Sequence, residues 1–373
     1  MKTLSIAREY QQRDINKIQD IIGRDPEGSL VYQLPTCGGK TFMFCELARH
    51  YIRQYHRRVV ILTHRRELCR QTVKMLELAD IPTQVIEADS EVSLQTNAYC
   101  TVAMVETLNN RLSLEEPLLE GGLLIIDEAH NNSFQKLFQH FPNWFRLGFT
   151  ATPLSSDAAF PLNKTYSELL IGETVNALIE QKFLAKPRLF SYDVDIAALE
   201  RGTGGDFTTS SSDTLYGLDS MLALLLESYT KHSKGKKTLI FNNGIITSKK
   251  VAAYFSAAGI TIRHLDNTAS DSERSETLKW FRNTKDAILT SVSLFTTGFD
   301  EPGIQTVILN RATTSITLYY QMIGRGARYM DRKRTFTIID LGNNTDRFGD
   351  WMAPLDWNYI FEHPEEYYEK INS

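Results

Sequence analysis

Short runs of apolar residues alternate with longer, helix-like stretches along the first half of the chain. The apolar runs, each the length of a buried strand, are Leu30–Leu34, Val59–Thr63, Thr101–Val105, Leu123–Asp127 and Leu147–Thr150. Between them lie amphipathic stretches, including Phe42–Tyr55 and Arg66–Leu78. Strands that alternate with helices predict an α/β fold, in which a mostly parallel sheet carries helices on both faces.

The second half repeats this alternation after a different central region. Tyr166–Leu184 reads as one helix that ends at Ala185-Lys186-Pro187, and the Gly/Ser/Thr-rich stretch Arg201–Ser212 predicts a flexible surface loop. A second set of strand-like runs follows, at Thr238–Phe241, Thr261–Leu265, Asp286–Thr290, Thr306–Asn310 and Thr335–Asp340. Ser248–Ala258 lies among them as a helix. We expect a second α/β domain here.

Length and composition support two domains. The chain has 373 residues, of which 42% are hydrophobic and 23% are charged. This length suits two domains of about 150–200 residues each. We place them at residues 1–186 and 187–350, followed by an acidic, aromatic C-terminal appendage at residues 351–373.

Charge and cysteine usage narrow the class of protein. The net charge of −4 argues against a basic nucleic-acid-binding tail but leaves room for a local basic groove. The four cysteines show no CxxC spacing, so neither a zinc site nor a disulfide framework is indicated. The N-terminus has no apolar signal region, and no apolar run approaches the ~18 residues of a membrane span. We expect a soluble, cytoplasmic monomer that does not bind a membrane; protein partners are not indicated.

Two strings together predict a site for a nucleoside triphosphate. The first, Thr36-Cys37-Gly38-Gly39-Lys40-Thr41, follows a strand and opens a helix. Its backbone N–H groups can wrap phosphates, while Lys40 meets the β/γ-phosphates and Thr41 holds Mg²⁺. The second string, Leu123–His130, is an apolar strand with Asp127 for the metal and Glu128 as a base for water.

Cys37 departs from the usual composition of such loops. If its backbone needs a positive φ, a residue other than glycine costs of order 1 kcal/mol there. We therefore expect either weaker nucleotide binding than is typical or a local rearrangement of the loop.

Seven further strings complete a pattern that resembles superfamily 2 helicases of the DEAD/DEAH-box kind across roughly residues 8–344. They are Arg8–Gln11, Leu62–Leu68, Gly148–Pro153, Leu239–Asn243, Asp266–Phe281, Thr297–Asp300 and Gln321–Arg328. The string QMIGRGAR at Gln321–Arg328 and the string IIDLGNN at Ile338–Asn344 are closest in appearance to the DNA helicases similar to XPB and RadD.

The resemblance implies two tandem RecA-like domains with the ATP site in the cleft between them. It also assigns roles to residues. Nucleotide contacts would come from Arg8, Gln11, residues 36–41, Gly298 and Asp300. Arg325 and Arg328 would act as arginine fingers. His130, Thr150, Thr152 and Gln321 would couple nucleotide to nucleic acid, which Arg66 and Thr107 would touch.

Several of these residues also allow a plainer interpretation. Arg325 and Arg328 are one helical turn apart and could form a solvated basic face. Arg66 could be an ordinary charge at a helix start, and His130 a hydrogen-bonded surface histidine. Thr150–Thr152 could be no more than a strand end before Pro153.

The leading hypothesis is an enzyme, a nucleic-acid-stimulated ATPase that uses ATP and Mg²⁺ to move along DNA or unwind it. An RNA helicase is the first alternative, because contacts to the sugar-phosphate backbone alone do not separate the two sugars. The second alternative is a nucleic-acid-binding module that closes on ATP without separating strands.

Overall fold

The computed structural model describes residues 7–88, 90, 98–112, 121–292 and 301–372. The chain divides into two compact units. Unit 1 comprises Met1–Thr174 together with Leu355–Lys370, and unit 2 comprises Val175–Pro354 with Ile371–Ser373. Unit 1 is therefore assembled from two stretches that lie far apart in the sequence.

Unit 1 contains a seven-stranded parallel sheet. Its strands are β1 (Ser29–Gln33), β2 (Val59–Thr63), β3 (Thr83–Ile86), β4 (Cys100–Met104), β5 (Leu123–Asp127), β6 (Phe145–Thr150) and β7 (Glu168–Ile171). The order across the sheet is β3-β4-β2-β5-β6-β1-β7. Strands β1, β2 and β5 are buried along their whole length, as expected where helices cover both faces of a parallel sheet.

Four helices of unit 1 lie between its strands or precede them. They are α1 (Glu9–Arg24), α2 (Lys40–Tyr55), α3 (Arg66–Leu78) and α4 (Val105–Arg111). Two 3-10 helices, Asn132–His140 and Leu162–Lys164, flank β6. Because α2, α3 and α4 each begin just after a strand, their N-termini lie at the carboxyl edge of the sheet, where parallel sheets bind ligands.

Unit 2 contains a six-stranded parallel sheet in the order β10-β11-β9-β12-β13-β8. The strands are β8 (Lys186–Ser191), β9 (Thr238–Asn242), β10 (Ile262–Leu265), β11 (Ile288–Val292), β12 (Thr306–Asn310) and β13 (Thr335–Asp340). The helices up to its last strand are α5 (Val175–Glu180), α6 (Thr209–Tyr216), α7 (Asp219–Ser233), α8 (Ile245–Ala257), α9 (Asp271–Asn283) and α10 (Ile316–Gly324). Two parallel sheets, each accompanied by helices, confirm the predicted α/β architecture with two domains.

Three helices follow the last strand: α11 (Asn344–Phe348), α12 (Trp357–Glu362) and α13 (Pro364–Asn372). Helix α12 packs against β7 and the 3-10 helix Leu162–Lys164 in unit 1. The stretch described from its sequence as an appendage thus adds two helices to unit 1. The break between the units falls at Thr174–Val175, ahead of the predicted boundary, and β8 occupies the place where that boundary was expected.

The single helix predicted at Tyr166–Leu184 is wrong. The structure places β7 there, then Gly172, then the short helix α5. Strand β7 pairs in parallel with β1, and the Gly172 N–H donates to the Gln33 carbonyl at 2.8 Å. Pairing at the edge of the sheet satisfies backbone groups that a helix would otherwise satisfy, and this tertiary effect outweighs local helix propensity.

The flexible loop predicted at Arg201–Ser212 is also wrong. Arg201 and Phe207 form an antiparallel bridge, and α6 begins within the stretch. Asp206 accepts hydrogen bonds from Arg311 Nη2 at 2.9 Å, Thr313 Oγ1 at 2.9 Å and Thr314 N at 2.8 Å. One carboxylate therefore anchors the segment to the residues that precede α10, which polar composition alone does not reveal.

Candidate active site

Three loops meet at one edge of the unit 1 sheet. Strands β5, β6 and β1 are consecutive neighbours, with Asp127 paired with Phe149 and Gln33 paired with Thr150. Because these strands run in the same direction, their carboxyl ends lie side by side. The phosphate loop (residues 36–41), the acidic pair Asp127–Glu128 and the string Gly148–Pro153, termed the threonine string below, therefore lie side by side.

The loop ahead of α2 has the geometry of an anion cradle. Gly39, at the N-cap of α2, has a φ of 90°, and Cys37 has a φ of 67°. A Cβ at Gly38 would lie 2.6 Å from Leu34 Cγ, so only glycine fits there. The Lys40 ammonium donates to the Leu34 carbonyl at 3.1 Å, which holds its charge over the loop. The first turn of α2 offers unpaired N–H groups for phosphate.

The N-terminal string packs directly on this loop. Gln11 Oε1 accepts from the Arg8 backbone N–H at 3.0 Å, and Gln11 Nε2 points to the Gly38 carbonyl at 3.4 Å. A Cβ on Gly39 would lie 2.5 Å from Gln11 Nε2. Tyr10 also donates to the Gly38 carbonyl, at 2.5 Å, and accepts from Arg8 Nη1 at 3.0 Å. The string Arg8–Gln11 and the phosphate loop, both predicted to contact the nucleotide, are thus in contact with each other.

Asp127, which is buried, and Glu128, whose side chain is 13% exposed, form an acidic pair at the end of β5. Burial raises the pKa of Asp127 to about 7, the Glu128 charge adds to this effect, and the Lys40 charge opposes it. Glu128 has a φ of 55°, so its backbone leaves the strand in a left-handed conformation. Left-handed backbone at a residue other than glycine is frequent at functional sites, where the surrounding structure maintains it.

The predicted coupling residues of unit 1 form a hydrogen-bonded relay. His130 Nδ1 lies 3.4 Å from Glu128 Oε2 and 3.0 Å from Thr150 Oγ1. Thr150 Oγ1 in turn donates to the Thr152 carbonyl at 2.9 Å and accepts from the Thr152 N–H at 3.1 Å. Burial lowers the pKa of His130. The surface interpretation of this histidine is wrong, because its side chain is buried against the acidic pair.

Arg66 and Thr107 lie on the same edge of the sheet but farther along it. Arg66 opens α3 after β2, Thr107 lies in α4 after β4, and β2 pairs with β4. Arg66 Nε lies 3.5 Å from Glu87 Oε2, and its side chain is 40% exposed. Both residues therefore belong to helices that begin at the carboxyl edge of the sheet.

In unit 2, the predicted residues lie at the end of α10. Gln321 is buried within the helix, which ends at Gly324. Arg325 is its C-cap, and Arg328 forms a backbone bridge with Leu184. The two arginines therefore follow the helix and do not form a face of it. Gly298 and Asp300 fall outside the described residues.

Two family models match this chain. The family described as the res subunit of type III restriction enzymes matches residues 5–155, and the helicase conserved C-terminal domain matches residues 218–330. A 51.5 kDa protein of a Lactococcus phage (isolate 7-9) is 31% identical over 336 residues, which are 88% of this chain and 69% of that protein. The chain belongs to the superfamily 2 helicases.

Relatives of this helicase differ in length. IRC3 of Saccharomyces cerevisiae is 27% identical over 357 residues, which cover 90% of this chain and 51% of IRC3. The chain therefore spans about half the length of that relative. Within the part of the chain that the structure describes, no helix combines the length and apolar character needed to cross a bilayer.

Solved structures share the fold of this helicase. The ATP-dependent type ISP restriction-modification enzyme LlaBIII, bound to DNA, has a TM-score of 0.69 at 18% identity, over 92% of this chain and 28% of that enzyme. Dbp5 of S. cerevisiae, bound to RNA and ADP BeF3, has a TM-score of 0.59 at 17% identity and covers 100% of both chains. These similarities confirm the tandem RecA-like fold.

The donors at this helicase site suit Mg²⁺. Among the described residues, no group of three or more His, Cys, Asp or Glu side chains is placed to hold a metal ion. Mg²⁺ needs no such group, because it binds through one or two protein oxygens together with phosphates and water. The Thr41 hydroxyl and the Asp127 carboxylate are hard oxygen donors, and the raised pKa of Asp127 marks a carboxylate whose burial outweighs the nearby positive charge. These residues fit the ion.

Sequence reasoning left two residues of the site without a role. Tyr10 contacts the phosphate loop, and its only sequence signal is its place between Arg8 and Gln11. His64 follows β2 within the string Leu62–Leu68. Burial lowers the pKa of His64 to about 4, the Glu128 charge opposes the shift, and the His130 charge favours it. Its Nδ1 has no hydrogen-bond partner among the described residues.

Proposed function

We propose that this superfamily 2 helicase is an ATP-driven motor that acts on DNA. Its ATPase activity would be stimulated by nucleic acid. One observation carries the proposal: the acidic pair Asp127–Glu128 lies at the same sheet edge as the Lys40 loop, and Glu128 Oε2 lies 3.4 Å from His130 Nδ1 in the relay. A phosphate cradle, an acidic pair and a polar link to the next loop together suit hydrolysis of a nucleoside triphosphate.

The roles proposed for unit 1 follow from chemistry at this edge. Backbone N–H groups of residues 36–41 would bind the phosphates, and Lys40 would neutralise the β/γ-phosphates. Thr41 and Asp127 would hold Mg²⁺, which when bound neutralises charge on the transferring phosphoryl group. Glu128 would orient and deprotonate the attacking water.

Arg8 and Gln11 would recognise the adenine base of ATP. In this structure the Gln11 amide spans the Arg8 N–H and the Gly38 carbonyl. The same amide would thus contact both the adenine base and the loop that binds the phosphates. Tyr10 would stabilise that loop through the Gly38 carbonyl.

The relay would communicate the state of the nucleotide to the nucleic acid. Loss of the γ-phosphate changes the charge that Glu128 faces, and His130 and Thr150 lie next to that change. Thr152 and Gln321 would complete the coupling. Arg66 and Thr107 would contact the track through its phosphates, so binding would be independent of sequence.

Unit 2 would supply the second half of the catalytic machinery. Arg325 and Arg328 would stabilise charge on the departing γ-phosphate, and an arginine finger can contribute ~10³–10⁵ in rate. Gly298 and Asp300 would contact the nucleotide. Because these residues belong to the other domain, hydrolysis would depend on domain closure, and closure and reopening would move the strand.

DNA is the proposed track, with RNA as the alternative. LlaBIII is bound to DNA in its structure and Dbp5 is bound to RNA, so the shared fold does not decide between them. The strings Gln321–Arg328 and Ile338–Asn344 favour DNA, because they resemble the XPB-like and RadD-like branch.

ATP hydrolysis measured in parallel with single-stranded DNA, duplex DNA, forked DNA and RNA tests the proposal. We expect strong stimulation by DNA and weaker stimulation by RNA, together with separation of a forked duplex. Equal or greater stimulation by RNA would identify an RNA helicase. Stimulation without strand separation would identify a translocase, and nucleic-acid binding without hydrolysis would identify an ATP-gated binding module.

A further inference from the structure

The last two helices of the chain are an integral part of unit 1. Trp357, Ile360 and Phe361 of α12 are buried, and Phe361 joins the same apolar core as Leu162 and Tyr166. Asn163 Nδ2 also donates to the Glu362 carbonyl at 3.3 Å. Helix α12 is thus held on unit 1 by apolar packing, and α12 and α13 together are termed the C-terminal segment below.

Tyr368 of the C-terminal segment reaches the loop behind the threonine string. Its hydroxyl donates to the Ser155 carbonyl at 2.6 Å, and Ser155 is only 4% exposed. The Tyr368 hydroxyl carries its proton at neutral pH, as a tyrosine ordinarily does, and burial raises its pKa further. A buried carbonyl that lost this donor would lack part of its hydrogen bonding, which is costly.

The loop that Tyr368 holds is bonded to the proposed catalytic relay. The Ser156 N–H donates to the His130 carbonyl at 2.8 Å, and Ser155 Oγ donates to Asn132 Oδ1 at 2.8 Å. His130 in turn lies against Glu128 and Thr150. A path of short polar contacts therefore runs from the proposed base to a residue near the end of the chain.

We infer that Tyr368 is a positioning residue for the ATPase site of unit 1, acting through Ser155 and Ser156 on His130. This inference rests on the proposed function. The C-terminal segment follows Val175–Pro354 of unit 2 in the sequence, so the geometry at Glu128 would depend on residues that come after both matched helicase regions.

Tyr368→Phe in the full chain tests the inference, because it keeps the ring and removes only the donor. We expect kcat for ATP hydrolysis to fall about fivefold, the size of one ordinary hydrogen bond, with a change in KM for ATP below about twofold. Hydrogen exchange at the Ser156 N–H should become faster by a similar factor. Tyr367→Phe is the matched control, since the Tyr367 hydroxyl bonds to no other described residue.

The outcomes separate the two proposals. If kcat and Ser156 exchange in Tyr368→Phe both equal those of the wild type, the positioning role is wrong. If KM rises while kcat is unchanged, Tyr368 acts on nucleotide binding, which also overturns it. If the wild-type chain has no ATPase activity, the proposed function is wrong. Hydrogen exchange at the Ser156 N–H would still decide whether Tyr368 holds the loop that contains Ser155 and Ser156.

Discussion

Two side-chain-bearing residues of the candidate site adopt left-handed backbone, Cys37 in the phosphate loop and Glu128 after β5. Such conformations cost L-residues about 1 kcal/mol or more and persist where neighbouring contacts maintain them. At Cys37 the adjacent Gly38 is closely packed against Leu34, and Lys40 donates to the Leu34 carbonyl. The positive φ that the sequence analysis considered for Cys37 is therefore present, and weaker nucleotide binding stays a prediction.

Cys37→Gly should relieve this strain. We expect the free energy of unfolding to exceed that of Cys37→Ala by about 1 kcal/mol, because only glycine adopts a φ near 67° without steric cost. Both changes remove the thiol, so urea denaturation of the pair isolates the backbone effect. An alanine variant at least as stable as the glycine variant would show that φ is not the source of strain.

Glu128→Gln should retain ATP binding and lower hydrolysis by at least ~10²-fold, because glutamine keeps the shape of the side chain but cannot accept the proton of water. Steady-state turnover and nucleotide affinity, measured separately, check this. Glu106→Gln, at an exposed glutamate of α4, is the matched control. Turnover of Glu128→Gln at the wild-type rate would exclude Glu128 as the base.

At the scale of elements, buried strands were predictable, whereas of the four strands at the sheet edges only β10 was predicted. β2, β5, β12 and β13 match the predicted bounds, because strands covered on both faces leave continuous apolar runs. The edge strands β3, β7 and β8 were missed. Their burial is partial, and their pairing depends on neighbours that a local pattern does not contain.

The segment anchored by Asp206 offers a test at this scale. Asp206→Ala should lower the free energy of unfolding by about 3 kcal/mol, because it leaves the Arg311 guanidinium buried without its partner. Urea denaturation measures the loss. Asp195→Ala is the control, since among the described residues that exposed carboxylate bonds only to the nearby Ala197 N–H. This substitution should lower the free energy of unfolding by about 1 kcal/mol or less. Equal losses for the two variants would contradict the anchoring role.

At the scale of the whole molecule, short sequence strings identified most of the candidate residues in unit 1. They did not identify every residue that contacts and positions them. The Lys40 loop, Asp127, Glu128, His130 and Thr150 are each carried by a short string beside a strand, and parallel strands bring such strings to one edge. Tyr368 had no such signal. Its contact with Ser155 joins residues that lie 213 positions apart, with unit 2 between them in the sequence, and no local pattern encodes a contact of that range.

If DNA binds through its phosphates at the edge of the unit 1 sheet that carries Arg66, its affinity should depend on salt concentration. If Arg66 contacts a phosphate, Arg66→Ala should reduce the slope of log affinity against log salt by about one unit for single-stranded DNA, because one fewer counterion is released on binding. The loss of affinity should be the same for unrelated DNA sequences. Fluorescence anisotropy over a range of salt concentrations measures both quantities.

Arg53→Ala provides the matched control for this experiment. Arg53 is an exposed arginine in the last turn of α2, a helix that begins at the phosphate loop, so it lies toward the opposite edge of the sheet. Its removal changes the net charge by the same amount and should leave the slope unchanged. If Arg53→Ala flattens the slope as much as Arg66→Ala does, the effect reflects overall charge, and the track does not pass along the edge that carries Arg66 and Thr107.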